Sequence, residues 1–156
     1  MTIRFIALDT QSARALQRGG TDANDQIPQR AVSDGGAVPC RHCQSPVAKG
    51  DEYLILSHRP FSASQPYAET GPIFLHAREC ERAEDSPVPA PMYRYGHGYI
   101  LRGYGANDWI NYDAAEVVTP DKITETAQRL LDREDVAYVH MRSSHMNCYQ
   151  CRIERA

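Results

Sequence analysis

Two cysteines separated by two residues, Cys40 and Cys43, are the side chains of this sequence best suited to metal chemistry. A second pair, His76 and Cys80, follows with three residues between its members. Thiolate sulfur and imidazole nitrogen are preferred ligands of Zn²⁺, and a structural site uses four of them in a tetrahedron. A tight turn brings both sulfurs of C-x2-C to one ion, and H-x3-C on a helical turn places both side chains on one face. The sequence therefore predicts a Cys3His zinc site.

The predicted role of this site is structural, because four protein ligands leave no open position for a water molecule. The order of the four ligands along the chain loosely resembles that in the zinc fingers of poly(ADP-ribose) polymerases, in which C-x2-C is followed at long range by H-x2-C. The last spacing is one residue longer here, and the basic residues that those fingers use on DNA are not concentrated in this chain. The resemblance thus supports a metal site and not DNA binding. The alternative is that these thiols are core side chains, since free cysteine is often buried.

Two other types of C-x2-C site fit the sequence less well. A thioredoxin-type redox pair needs a helix after the second cysteine, and Pro46 and Gly50 oppose a helix there. A zinc deaminase needs an H-x-E motif upstream of P-C-x-x-C, but the first histidine of the chain is His42, inside the motif. The redox function is therefore set aside, and the zinc deaminase fails on the order of its motifs.

A further C-x2-C, formed by Cys148 and Cys151, lies in a segment that predicts a strand, where residues three apart face opposite sides. Cys151 is expected on the apolar face with Tyr149 and Ile153, as a core thiol. Cys148 is expected on the other face, where it follows Asn147.

The second functional hypothesis is a thiol-dependent enzyme centred on Cys148. On the neighbouring strand His140 and Arg142 share a face, and a thiol beside a histidine and an arginine has the setting of a nucleophile. In this hypothesis His140 or His145 assists, and Arg142 or Arg102 holds a small anionic substrate. The register of the hairpin is open at this stage, and a polar rim without catalytic function is the alternative.

Composition argues against a general nucleic-acid binder, because the formal net charge of the 156 residues is −3. The segment MYRYGHGYILRGYG nevertheless interleaves tyrosines with arginines that could stack on bases, namely Tyr93, Tyr95, Tyr99 and Tyr104 with Arg94 and Arg102. The alternative is that these tyrosines pack in the core. The sequence does not identify a partner.

The amino terminus has no signal-peptide pattern, and no apolar run is long enough to span a bilayer. Five cysteines are an odd number, which is typical of reduced thiols rather than of a disulfide framework. We therefore expect a cytoplasmic protein without membrane contact.

The elements that must position these side chains follow the order β-α-β-β-β-β-α-β-β. Periodicity predicts strands at residues 2–8, 51–58, 71–77, 97–105, 108–113, 136–142 and 147–153, and helices at residues 9–20 and 117–135. Residues 21–38 are polar and predict a long surface loop, and residues 59–70 and 84–92 predict proline-rich connectors. The chain is predicted to be a single α+β domain over residues 1–156, with a mostly antiparallel sheet, two main helices and long polar or proline-rich loops.

The segments CRHC, GPIFLH, LRGY and VAYVHMRSSHMNCYQCRIER resemble a bacterial family of unknown function, the one numbered 1203. The resemblance runs from Cys40 to the end of the chain, with a matching first strand. It implies a small bacterial α+β protein without an assigned reaction. It also implies that the zinc ligands belong to one branch of the family, and that the shared site is a pocket near Arg41, Arg102, Arg142 and Cys148.

Overall fold

A computed structural model describes all residues from Met1 to Ala156. The protein is α+β, with two α-helices and eight strands in two sheets whose pairings are all antiparallel. The strands are β1 (Ile3–Ile6), β2 (Gln29–Val32), β3 (Glu52–His58), β4 (Gly71–His76), β5 (Tyr99–Tyr104), β6 (Ile110–Val118), β7 (Tyr138–Ser143) and β8 (Tyr149–Arg155), and the helices are α1 (Thr10–Gln17) and α2 (Ile123–Leu131). The predicted fold class is confirmed.

The chain divides into two compact units. The first, called here the five-stranded unit, contains Met1–Ile6, Phe61–Glu69 and Glu84–Ala156, and its sheet has the order β1-β8-β7-β5-β6. The second, the three-stranded unit, contains Ala7–Pro60 and Thr70–Ala83, and its sheet has the order β2-β3-β4. That the whole chain acts as one domain stays a prediction.

Helix α2 packs on one face of the five-stranded sheet and supplies much of its core. The apolar side chains that recur at helical spacing form one buried stripe, namely Ile123, Ala127, Leu130 and Leu131. Burial of such a stripe is the main source of stability for so short a helix. A short 3-10 turn, Pro120–Lys122, comes first. The residue before it, Thr119, is of a type that often caps helices, but its side chain makes no capping hydrogen bond.

Helix α1 of the three-stranded unit begins as predicted. The carboxylate of Asp9 accepts a hydrogen bond from the backbone N–H of Ser12 at 2.8 Å, which satisfies one of the unpaired donors of the first turn. Gly19 follows the helix with a φ of +92°, a left-handed conformation that glycine adopts without steric strain.

The strand β2 is the element that the sequence did not predict, since it lies inside the expected loop of residues 21–38. Its side chains are mostly exposed, so no apolar alternation indicates it. It exists through backbone pairing with β3, in which Ala31 lies opposite Tyr53. Similarly, β6 extends to Val118, into the residues predicted to begin the second helix.

Neither α-helix, at eight and nine residues, is long and apolar enough to cross a membrane.

Candidate metal centre

The C-x2-C motif lies at the tip of a small turn in the three-stranded unit. Backbone hydrogen bonds close this turn, from the Cys40 N–H to the Ser45 carbonyl at 3.1 Å and from the Gln44 N–H to the Cys40 carbonyl at 2.9 Å. Gln44 has a φ of +51°, which lets the chain reverse sharply just after Cys43. The predicted tight turn is therefore present.

The other pair is positioned differently from the prediction. His76 is the last residue of β4, and Cys80 lies in an irregular segment after that strand rather than on a helical turn. Helix α1 holds this segment in place: the Gln17 side-chain amide donates to the carbonyls of His76 and Arg78, both at 3.0 Å. Arg14 donates to the carbonyl of Cys80 at 2.6 Å.

The four predicted ligand side chains meet at one point. The ligand atoms of Cys40, Cys43, His76 and Cys80 all lie within 4.8 Å of one another. The sulfurs of Cys40 and Cys80 are 3.9 Å apart, and Cys43 Sγ lies 3.4 Å from His76 Nδ1. Sulfur ligands at ~2.3 Å from a tetrahedral ion are separated by about 3.8 Å, so these side chains are positioned to hold a metal ion.

The charges of the three thiols are strongly linked. Hydrogen bonds from the thiols of Cys43 and Cys80 lower the pKa of Cys40 far below that of a free cysteine. The hydrogen bond to Cys40 raises the pKa of Cys43, and likewise that of Cys80. A negative charge on one thiol thus opposes the ionisation of the other two, whereas a bound cation would stabilise all three thiolates together.

His42 lies against this cluster, although no sequence pattern indicated it. Its Nδ1 lies 3.2 Å from the Cys80 sulfur, and its Nε2 lies 3.0 Å from the Thr10 hydroxyl oxygen. The ring is fully buried, and burial, followed by the charge of Arg14, lowers its pKa. Thr10 begins α1, far away in sequence, so no local pattern could have indicated this contact.

Arg41, the remaining residue of the motif, is also buried in the three-stranded unit. Its guanidinium donates to the carbonyl of Pro39 at 2.6 Å. The other residues of the predicted anion pocket belong to the five-stranded unit, namely Arg102, His140, Arg142, Asn147 and Cys148.

In the five-stranded unit, Arg102 lies opposite His140 in the pairing of β5 with β7, and Arg142 follows two residues later on the same face. His140 is 0% exposed. Four aromatic rings lie within 5.2 Å of its ring, centroid to centroid, those of Phe61, Tyr104, Tyr138 and Tyr149. Arg142 Nη1 donates to the carbonyl of Asn147 at 3.2 Å.

Cys148 is not brought to this histidine. Its thiol donates to the carbonyl of Met146 at 3.6 Å within the hairpin turn, and its backbone carbonyl pairs with the N–H of Ser143. Neither of these hydrogen bonds involves the His140 ring or the Arg142 guanidinium. The thiol-dependent activity centred on Cys148 therefore stays a hypothesis that these hydrogen bonds do not support.

The hairpin of β7 and β8 differs from the prediction in the position of Tyr149. Its register shifts by one residue, so that Met141 lies opposite Cys151 but Arg142 lies opposite Tyr149. This bulge moves the Tyr149 ring to the face of His140, whereas the sequence placed it beside Cys151. Cys151 is fully buried in the core with Ile153, as predicted for a core thiol.

The predicted stacking tyrosines are mostly inside the protein. The side chains of Tyr93, Tyr99 and Tyr104 are buried, and only Tyr95 is exposed, at 88%. For Tyr93, Tyr99 and Tyr104 the packing confirms the interpretation as core side chains.

No curated protein and no solved structure matches the chain significantly. A family model described as Protein of unknown function (DUF1203) matches residues 37–155, which include the metal cluster and the whole of the five-stranded sheet apart from β1. With most of its length inside this match, the chain belongs to the DUF1203 family.

Proposed function

We propose that the protein binds one Zn²⁺ through the four side chains of the metal centre and functions as a zinc-stabilised binding protein. The observation that carries this proposal is the 3.9 Å separation of the Cys40 and Cys80 sulfurs within a group whose ligand atoms all lie inside 4.8 Å. Three thiols and one imidazole form a soft donor set, which favours zinc over magnesium, calcium or manganese.

A structural role fits this donor set better than a catalytic one. Four protein ligands complete a tetrahedron and leave no position for a substrate or an activated water molecule. The ion would join the turn that carries Cys40 to the irregular segment that carries Cys80, two parts of the chain without regular secondary structure. All five cysteines are free, which supports the cytoplasm as the location, because thiols remain reduced there.

The experiment compares metal content and stability among cysteine variants. Protein purified without added zinc is expected to carry close to one zinc per chain by elemental analysis. Cys40→Ser and Cys80→Ser should each release the zinc and lower stability by similar amounts. In the double variant these losses should not add, because both thiolates act on one ion.

The second C-x2-C provides matched controls. Cys151→Ser should lower stability, because it places a hydroxyl among buried apolar side chains, while the zinc content stays at that of the wild type. Cys148→Ser should change neither property. Zinc that persists in Cys80→Ser, or that is lost in Cys148→Ser or Cys151→Ser, would contradict the proposed ligand set.

A further inference from the structure

Two arginines lie next to each other on the face of the five-stranded sheet that does not carry α2. Arg102 lies opposite His140, and Arg142 is two residues further along β7, so that both guanidinium groups project from the same face. Their side chains are only 17% and 5% exposed. Burial of a guanidinium is costly unless an anion lies beside it, so this face needs negative charge.

A single carboxylate meets this need. One oxygen of Glu69 accepts a hydrogen bond from Arg102 Nη1 at 2.8 Å, and the other lies 3.2 Å from Arg142 Nη2. Two buried positive charges therefore share one negative charge, which leaves an excess of one positive charge. The Nε of Arg142 is also buried and makes no hydrogen bond. The arginine pair can therefore interact with more negative charge than Glu69 supplies.

The two arginines and Glu69 lie on different kinds of structure. Both arginines lie on central strands of the sheet, β5 and β7, whereas Glu69 ends a segment without regular secondary structure, Phe61–Glu69, and its side chain is 38% exposed. This segment has other anchors. The Phe61 ring lies 5.4 Å from that of Tyr104, and the Tyr67 ring lies 5.2 Å from that of Trp109. The Glu69 side chain can therefore leave the arginines without release of the whole segment.

We propose that Arg102 and Arg142 form a binding site for the oxyanion group of a small ligand, and that Glu69 is an internal carboxylate that fills the site until the ligand replaces it. Guanidinium groups bind phosphate and carboxylate oxygens through paired hydrogen bonds, so either group fits the two arginines. A dianion neutralises both arginines, whereas a single carboxylate neutralises one. The favoured ligand class is therefore a phosphate monoester, ahead of a monocarboxylate.

The test uses Glu69→Gln, which keeps the size of the side chain and removes its charge. Thermal unfolding is measured with inorganic phosphate, with acetate and with chloride at constant ionic strength. Phosphate should raise the unfolding midpoint of Glu69→Gln by about 2–4 °C beyond its effect on a control variant, with a saturating dose dependence, and acetate should raise it less. The wild type should respond more weakly, because Glu69 competes.

The matched control is Glu116→Gln, which removes a carboxylate of the same unit that pairs with the exposed Arg129. An equal phosphate response in Glu69→Gln and Glu116→Gln would overturn the proposal. If Glu69→Gln does not fold, Glu69→Asp is used, since a shorter carboxylate cannot reach both arginines as well. Its phosphate response should exceed that of the wild type, and an identical response would overturn the proposal equally. A stronger response to acetate than to phosphate would contradict the favoured ligand class.

Discussion

His42 connects the candidate metal centre to the start of α1. Its Nδ1 faces the Cys80 sulfur and its Nε2 faces the Thr10 hydroxyl. A metal-bound thiolate has no proton to donate, so in the zinc-bound protein Nδ1 must carry the proton and Nε2 must accept from Thr10. Groups that donate to a metal ligand in this way fix the orientation of that ligand and tune the affinity of the site.

At the residue scale we expect His42→Ala to weaken zinc binding by about 10–100-fold without removal of any ligand. His42→Asn should lose less, because its amide can donate from nearly the position of Nδ1. Competition with a chromophoric chelator measures both affinities. His97→Ala, a substitution of an exposed histidine in the five-stranded unit, is the control and should bind zinc as the wild type does. Equal affinity in His42→Ala and the wild type would rule out the role of this hydrogen bond.

The second ligand pair, His76 and Cys80, does not lie on the predicted helical turn. Helix α1 holds this pair in position instead. The backbone carbonyls of His76 and Arg78 accept from the Gln17 amide, and that of Cys80 accepts from Arg14. Gln17 is buried at the end of the helix, so that its two hydrogen bonds are largely shielded from water. The position of Cys80 thus depends on a helix from another part of the chain.

At the element scale Gln17→Ala should cost about 1–3 kcal/mol of stability, because two carbonyls lose their buried donor. It should also lower zinc affinity, because the segment that carries His76 and Cys80 would no longer be held close to the turn of Cys40. Gln11→Ala on the exposed side of the same helix is the matched control, and it should leave both properties unchanged. Denaturant unfolding and chelator competition measure the two effects. A loss of stability with unchanged zinc affinity would show that α1 does not position the site.

At the scale of the whole molecule, the metal centre belongs to one compact unit and the arginine pair to the other. The five-stranded unit has its own core, formed by α2 and one face of the sheet. In the three-stranded unit, three of the four proposed ligands, Cys40, Cys43 and Cys80, come from segments outside the strands of the sheet. Apparent zinc binding energies on the order of 10 kcal/mol are as large as the total stability of many domains, so zinc loss should affect this unit most.

We therefore expect a chelator to accelerate amide hydrogen exchange first in residues 38–47 and 76–80. The amides of β5, β7 and β8 should keep their protection, because the core beneath them contains no ligand of the ion. Exchange followed by mass spectrometry, with and without chelator, measures both regions in one sample. Equal acceleration in both regions would contradict this expectation and would support the prediction of one cooperative domain over residues 1–156.

Local properties of the sequence determined much of this protein. The spacing of Cys40, Cys43, His76 and Cys80 indicated the metal cluster, because two ligands separated by two or three residues can reach the same ion. The apolar stripe of α2 and the strands of the last hairpin could also be predicted locally. Helix and strand periodicity depend on residues that are close together in the sequence.

Other features depended on contacts between distant residues. The strand β2 exists through its backbone pairing with β3, the bulge that turns Tyr149 toward His140 is set by register, and Glu69 reaches two arginines from a loop. His42 finds its partner Thr10 only after α1 is in place. Side-chain type and spacing do not encode such pairings, because they arise from the relative placement of elements far apart in the chain. The sequence thus determined which side chains could bind a metal ion. Only the tertiary structure decided which residues hold those ligand side chains in position, and that the carboxylate facing the two arginines is that of Glu69.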